Sequence, residues 1–173
     1  MNRRQTLGMC LIAGLTAGCV PVADGRVSLA GTQPGSTISG TATFAQTAEG
    51  LRMAVTVAGA PPGLHGLHIH ERGDCGDGGN AAGGHFNPDK VKHGFLPQDG
   101  FAGAHAGDLG NIDIGANGAG TLVLTPDQLT LRDGPYAVAG RSVVLHEKRD
   151  DFGQPTGNAG GRIACGVILV RSP

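Results

Sequence analysis

Three features are missing from this 173-residue sequence, and each absence excludes a class of protein. After the first 19 residues there is no apolar run of about 20 residues, so nothing in the body of the chain is predicted to span a membrane. The 13 lysines and arginines do not exceed the 14 aspartates and glutamates, which argues against a basic nucleic-acid binder. No segment has the period of an amphipathic helix of three turns, which argues against a helical fold. The length is sufficient for one domain with a sizeable core.

Short segments with strand-like patterning are present instead. In residues 51–57, Leu51, Met53, Val55 and Val57 alternate with other side chains, which predicts a half-buried strand. Similar patterns predict seven further strands, at residues 26–30, 37–44, 64–70, 108–114, 121–124, 142–146 and 163–170. We therefore predict an all-β fold of eight strands, a sandwich or a barrel.

Two connections between these strands are unusually long. Residues 71–107 form the first loop, with 37 residues, and residues 147–161 form the second loop, with 15 residues. Loops of this length in a small domain are normally functional or disordered. The first loop holds Cys75, His85, His93 and His105, so we predict that it belongs to a functional site.

Histidine is concentrated around the predicted strand at residues 64–70. Residues two apart on a strand face the same side, so His68 and His70 should project together, about 7 Å apart. This spacing suits two ligands of one metal. His65 has the opposite parity, and we expect it to be a hydrogen-bonded structural residue behind the site.

Further metal-binding side chains lie elsewhere in the chain. Imidazole is a common ligand of copper and zinc, and a carboxylate among imidazoles suits zinc. Counted together, six histidines and one aspartate are more than one tetrahedral ion needs, and they fit two ions if one histidine serves both; the candidates are His68, His70, His85, His93, His105, His146 and Asp108.

The order of these motifs resembles the copper/zinc superoxide dismutase family, in its secreted bacterial form. The matching pieces are GLHIHE at 66–71, GHFNP at 84–88, HG at 93–94, HAGDLGN at 105–111, VVLHEK at 143–148 and GNAGGRIACG at 157–166. The resemblance implies an eight-stranded Greek-key β-barrel with two long functional loops. It also implies an enzyme that converts superoxide to oxygen and hydrogen peroxide through alternate reduction and oxidation of copper, next to a structural zinc.

The resemblance assigns the metal ligands residue by residue. Copper is expected to be held by four histidines: His68, His70, His85 and His146. Zinc is expected to be held by three histidines and a carboxylate: His85, His93, His105 and Asp108. His85 is then the bridge between the two ions, and it would also carry a proton to the peroxide.

Residues around the ligands have implied roles as well. Asp150 matches a carboxylate that links His70 and His93 from outside the ligand sets, with Asp151 as the rival for that role. Cys75 and Cys165 match the family disulfide.

The resemblance also indicates how the substrate anion is guided. Arg162 is expected to attract and orient it, and Thr156 matches a position on the channel wall. The second loop is shorter than in the animal enzymes and lacks most of their charged segment, so steering would rest on Arg162 and on a few lysines and arginines: Lys90, Lys92, Lys148 and Arg149.

The first residues resemble an export signal. A basic start and an apolar stretch lead to Cys19, which matches a lipoprotein signal except that Thr16 replaces the usual aliphatic residue. We expect a signal peptide at 1–18, a tether at 19–25 and the enzyme domain at 26–173. The protein would then be periplasmic and held on a membrane by a lipidated Cys19. Ordinary cleavage, which would give a soluble periplasmic or secreted protein, is the alternative.

Two questions stay open from the sequence. A metal-scavenging protein on the same barrel is the rival to an enzyme, but such a relative should have lost a copper ligand or the arginine, and this chain keeps all of them. The resemblance is compatible with either a monomer or a homodimer. Superoxide is the expected substrate, anchoring to a membrane through Cys19 is the other expected interaction, and no nucleic-acid partner is expected.

Overall fold

The computed structural model describes residues 24–171, which form a closed antiparallel β-barrel. Its strands are β1 (Gly25–Gly31), β2 (Ser39–Thr47), β3 (Gly50–Ala58), β4 (Gly63–His70), β5 (Asp108–Ile114), β6 (Gly120–Leu124), β7 (Ser142–His146), β8 (Arg162–Val167) and β9 (Leu169–Val170). The barrel runs in the order β1-β2-β3-β6-β5-β4-β7-β8, and β8 pairs back with β1. Because β3 pairs with β6 and not with β4, the connections cross as in a Greek key. The predicted all-β barrel is confirmed.

One predicted strand is divided in two. Residues 163–170 were expected to be continuous, but Ile168 separates β8 from β9, and its N–H donates to the carbonyl of Arg141 at 2.8 Å. The break turns the Ile168 side chain into the core, where it is 1% exposed. The barrel therefore has eight strands, and β8 and β9 together form the eighth. The predicted signal peptide and Cys19 lie outside the described residues.

Strand β4 separates the core from the histidines. Leu67 and Ile69 are fully buried among the apolar residues of the barrel. Since successive side chains alternate between faces, His68 and His70 project to the outer side of the barrel wall. They are nevertheless buried, because the loops cover that side. The histidine pair thus lies between the barrel and the loops.

Both predicted loops are present, and the first contains short helical segments. A 3₁₀ helix spans Asp77–Ala82, and a helix α1 spans Leu96–Gly103 with a non-helical residue at Gly100. No helix among residues 24–171 is both long and apolar enough to cross a membrane. A third long connection, residues 125–141, lies between the strands predicted at 121–124 and 142–146, but it was not among the long loops predicted from the sequence. It closes one part of the core with three buried apolar side chains, Leu129, Leu131 and Val138.

A disulfide joins Cys75 of the first loop to Cys165 of β8, as predicted. Around it, Ala82 and Val144 form a small buried cluster. The bond connects positions 90 residues apart in sequence, so it fixes the start of the first loop to the barrel.

Candidate metal centre

Four histidines predicted to bind copper lie together on the outer side of the barrel. His68 and His70 come from β4, His146 ends β7, and His85 comes from the first loop, where it pairs with His70 as an isolated bridge. One potential ligand atom from each lies within 4.8 Å of the others, and all four are buried. We call these four residues the first cluster.

For two of these histidines, hydrogen bonds fix which ring nitrogen faces the centre of the first cluster. Nδ1–H of His70 donates to the Gly83 carbonyl at 3.0 Å, and Nδ1–H of His146 donates to the Gly160 carbonyl at 3.3 Å. The Nε2 atoms of His70 and His146, which lie 3.3 Å apart, therefore carry no proton and keep their lone pairs for a ligand. A histidine held by one nitrogen presents the other as a ligand.

A second cluster is centred on Asp108. Nδ1 atoms of three histidines surround its carboxylate: His85 at 2.8 Å and His105 at 3.1 Å from Oδ1, and His93 at 2.9 Å from Oδ2. Oδ2 also accepts the backbone N–H groups of Gly94 at 3.0 Å and His105 at 2.9 Å. These four residues, which were predicted to bind zinc, have potential ligand atoms within 4.8 Å of one another and are buried.

His85 belongs to both clusters. Its Nδ1 faces Asp108 in the second cluster, so Nε2 is left for the first. Its ring centroid is 4.1 Å from that of His68. One imidazole ring therefore offers a ligand atom on each side.

Unsatisfied nitrogens indicate that the clusters are built for metals. Within residues 24–171, Nδ1 of His68 and Nδ1 of His93 are buried without a hydrogen-bond partner. His93 Nδ1 is close to Asp108, but not in the geometry of a hydrogen bond. Leaving a buried polar atom unpaired costs free energy unless a metal or water completes it. A set of four imidazoles suits copper, and three imidazoles with a carboxylate suit zinc.

Asp150 links the two clusters, but through a different histidine from the one expected. Its Oδ2 accepts from Nε2–H of His68 at 2.7 Å, and its Oδ1 accepts from Nε2–H of His93 at 3.0 Å. The prediction that it would contact His70 is wrong, because His70 is held by the Gly83 carbonyl. Asp151, the rival, is exposed and accepts hydrogen bonds from Asn158 instead.

His65 behaves as predicted and takes part in neither cluster. Its Nδ1 lies 2.8 Å from the carbonyl oxygen of His146, and its Nε2 lies 2.9 Å from that of Pro61. The ring is buried behind the site and braces the end of β7.

Burial keeps three histidines of the first cluster, His70, His85 and His146, in the neutral form that binds metals. Desolvation lowers the pKa of His70 to about 2 and that of His146 to about 3. Desolvation also lowers the pKa of His85 to about 4, although the hydrogen bond with Asp108 opposes this. Imidazole must be deprotonated to act as a ligand, so these three rings are ready for an ion at neutral pH.

The pKa values in the second cluster are governed by two carboxylates, Asp108 within the cluster and Asp150 beside it. Burial raises the pKa of Asp108, but the contacts with His105, His85 and His93 outweigh it and hold this pKa far below its usual range. Burial lowers the pKa of His93, yet the carboxylates of Asp108 and Asp150 outweigh it and raise it to about 9. A cationic group is therefore favoured between these two carboxylates, which is the environment that a divalent ion needs.

Arg162 lies at the edge of the first cluster. It is the cross-strand partner of His146, and its charge contributes to the lowered pKa values of His70 and His146. Nη1 donates to the carbonyl of Gly79 and Nη2 to that of Gly83, each at 2.6 Å. The guanidinium is half-buried, and these two carbonyls of the first loop hold it in place.

The predicted channel-wall residue and the basic residues named for steering are all exposed; they are Thr156, Lys90, Lys92, Lys148 and Arg149. None of them belongs to either cluster.

Sequence reasoning missed the side chains that hold the site from outside. The Asn111 amide bonds to the backbone of Asp150 on both sides, accepting from its N–H at 2.7 Å and donating to its carbonyl at 3.0 Å. Gln154 does the same to the backbone of His93. Gly157, at φ +77°, lies so close that a Cβ atom there would overlap the Asp150 carboxylate. Asn111 and Gly157 fall inside the recognised motifs, but nothing in the sequence reveals what they contact.

The wall of this all-β barrel carries two histidine clusters that have one ring in common. This arrangement defines a binuclear metalloprotein. Comparisons with known proteins identify its family. The family model for copper/zinc superoxide dismutase matches residues 38–168. The chain is 48% identical over 136 residues to an extracellular copper/zinc superoxide dismutase of Caenorhabditis elegans, an alignment covering 75% of this chain and 60% of that protein.

Two further comparisons give a second named relative and a solved structure of similar fold. A copper/zinc superoxide dismutase of Brassica juncea is 47% identical over 139 residues, covering 76% of this chain and 89% of that protein. The crystal structure of the clock protein EA4 has 40% identity and a TM-score of 0.74, covering 86% of this chain and 96% of that one. The chain belongs to the copper/zinc superoxide dismutase family, and its activity is the dismutation of superoxide with copper and zinc as cofactors.

Proposed function

We propose that the first cluster holds copper, that the second holds zinc and that His85 bridges the two ions, so that the pair of sites dismutates superoxide. One observation carries this assignment: the single ring of His85 belongs to both sets of converging ligand atoms. A scavenging protein needs no ring common to a redox-active ion and an inert one, whereas in dismutation such a ring can deliver a proton beside the redox-active ion.

The protein's own residues supply positioning and a proton. Copper held by the first cluster would supply the one-electron redox chemistry of the reaction, whereas zinc has no redox chemistry and would supply none. Two superoxides and two protons give one oxygen and one hydrogen peroxide. Nε2 of His85, the nitrogen that faces the first cluster, would carry one of these protons in the part of the cycle in which it does not bind copper, and would give it to the peroxide; the second proton would come from solvent. The contact of Nδ1 with Asp108 keeps that ring in place.

Arg162 binds and orients the anion. Its two hydrogen bonds to the first loop fix the guanidinium next to His146. A guanidinium is charged at every physiological pH and forms strong hydrogen bonds to oxyanions. Exposed lysines and arginines around the site extend the attraction through solvent, where salt screens it.

Replacing Arg162 with glutamine should slow turnover about tenfold and flatten its dependence on ionic strength, because electrostatic guidance contributes factors of this size. Metal content should not change, since Arg162 is in neither ligand set. Arg132→Gln is the matched control: it removes the same charge from a side chain that contacts the carbonyl of Arg171. Turnover against salt, with metal analysis, is the measurement. Loss of bound copper in Arg162→Gln would contradict the role.

Metal titration of the purified protein tests the whole assignment. One copper and one zinc per chain should bind, and the loaded protein should consume superoxide catalytically. Stoichiometric metal binding without catalytic consumption would instead favour a metal-binding protein.

We further propose that the enzyme is exported and is of the secreted bacterial type. Residues 1–18 act as a signal peptide, 19–25 as a tether and 26–173 as the enzyme domain. Lipidated Cys19 would hold the domain on a membrane in the periplasm. The extracellular relatives from nematodes support export.

Mass spectrometry of the mature N-terminus should find a lipid on Cys19, and an unmodified N-terminus would favour the soluble form. A homodimer is also a prediction of the sequence analysis, and sedimentation analysis of the purified protein would test it.

A further inference from the structure

The backbone of His93 lies in an irregular part of the first loop, away from helix and strand. The residue is 2% exposed, so its peptide groups need partners inside the protein. Within residues 24–171, no backbone group bonds to the N–H or the carbonyl of His93. A single side chain from the second loop supplies both partners.

That side chain is Gln154. Its Oε1 accepts from the N–H of His93 at 3.1 Å, and its Nε2 donates to the carbonyl of His93 at 2.8 Å. One amide group thus holds both peptide groups of one residue. Two hydrogen bonds from a planar amide fix position and orientation together, as a neighbouring strand would.

The same loop also holds the ring of His93. Nε2–H of His93 donates to Asp150, which leaves Nδ1 for the second cluster. The second loop therefore fixes this residue at its ring through Asp150 and at its backbone through Gln154. The first loop alone would leave the His93 peptide without partners, because its own hydrogen bonds go elsewhere.

The rest of the second loop is braced separately, so Gln154 can be tested by itself. Phe152 packs on Phe95 of the first loop with ring centroids 5.4 Å apart. Asn158 donates to the carboxylate of Asp151 at 3.1 and 3.2 Å. These contacts shape the loop without touching His93.

We propose that Gln154 is a positioning residue that sets the affinity of the second cluster for zinc by fixing the backbone of His93. The proposal rests on the assignment of His93 as a zinc ligand. Residues that orient a metal ligand from outside change metal affinity about 10-fold to 100-fold when lost. Within residues 24–171, both side-chain hydrogen bonds of Gln154 go to His93 and none goes to the first cluster, so copper affinity should depend on it far less.

Metal-free wild-type and variant proteins would be titrated with zinc and, separately, with copper against competing chelators. Gln154→Ala should raise the zinc dissociation constant about tenfold and leave the copper constant close to that of wild type. Cobalt bound in place of zinc should show a changed absorption spectrum. Gln154→Glu keeps the acceptor for the His93 N–H but loses the donor to the His93 carbonyl. Its zinc affinity should therefore lie between those of the wild type and Gln154→Ala.

The matched control is Asn158→Gly, which loosens the same loop away from His93 and keeps a residue suited to the left-handed backbone at that position, where φ is 51°. It should retain wild-type zinc affinity. An equal loss of zinc affinity in this control, or an equal loss of copper affinity in Gln154→Ala, would overturn the proposal as general loosening.

Wild-type zinc affinity in both Gln154 variants would also overturn it. If Gln154→Ala fails to fold, the zinc constant of Gln154→Glu decides alone. A wild-type protein that binds no zinc at the second cluster would refute the ligand assignment, whereas unchanged zinc binding in the variants would refute only the role of Gln154.

Discussion

Replacing His85 with alanine should lower the turnover of superoxide at least about a hundredfold, the usual contribution of a positioned proton donor. The same change should remove the ring that belongs to both clusters. In a derivative loaded with copper at both sites, magnetic coupling between the ions should then disappear. Turnover is measured by rapid mixing, and coupling by paramagnetic resonance or susceptibility.

The control is His105→Ala, which removes a ligand candidate of the second cluster that is not common to both. In its two-copper derivative the coupling should persist, because the His85 ring is still present. Coupling that survives in His85→Ala would rule out this ring as the bridge. Coupling that is lost equally in both variants would show only that the second cluster had failed to bind its ion.

The period of a strand was enough to place part of this site. His68 and His70 lie two residues apart in a segment where Leu67 and Ile69 enter the core, so the pair had to face the other side. The opposite parity of His65 on the strand excluded it from the predicted metal ligands by the same reasoning. The loop histidines have no period, and only the order of motifs connected them with β4.

The partner of Asp150 shows where that reasoning ends. His68 and His70 share a face, so strand period cannot decide which of them meets a carboxylate from a loop 80 residues away. The hydrogen bonds decide it: His68 donates to Asp150, whose backbone is held by Asn111 of β5, while His70 donates to the Gly83 carbonyl. Both hydrogen bonds are tertiary features with no local sequence signal.

The burial of part of the third connection, residues 125–141, was not predicted for a related reason. Leu129, Leu131 and Val138 are buried there, but these three side chains are too few to define a strand or helix pattern. Their burial comes from contacts with distant parts of the chain: the backbone N–H of Leu131 donates to the side chain of Gln46 at 3.1 Å. Spacing within the segment could not show this.

Removing the disulfide should destabilise the protein and impair the site at the same time. The bond joins Cys75 to Cys165 across 90 residues, and closing a loop of that length stabilises the folded state by roughly 4 kcal/mol in the chain-entropy model. Cys75 also anchors the start of the segment whose carbonyls, at Gly79 and Gly83, hold Arg162. A freed segment would leave the guanidinium unfixed.

The double variant Cys75→Ala with Cys165→Ala should therefore lose roughly 4 kcal/mol in the free energy of unfolding of the metal-free protein, measured in urea. Its metal-loaded form should turn over superoxide at a rate approaching that of Arg162→Gln. Wild-type protein treated with a thiol reductant is the control, because it breaks the same bond without changing any side chain nearby. An unfolding midpoint equal to that of the oxidised wild type would contradict the stability prediction. Full turnover would show that the first loop holds Arg162 without help from the disulfide.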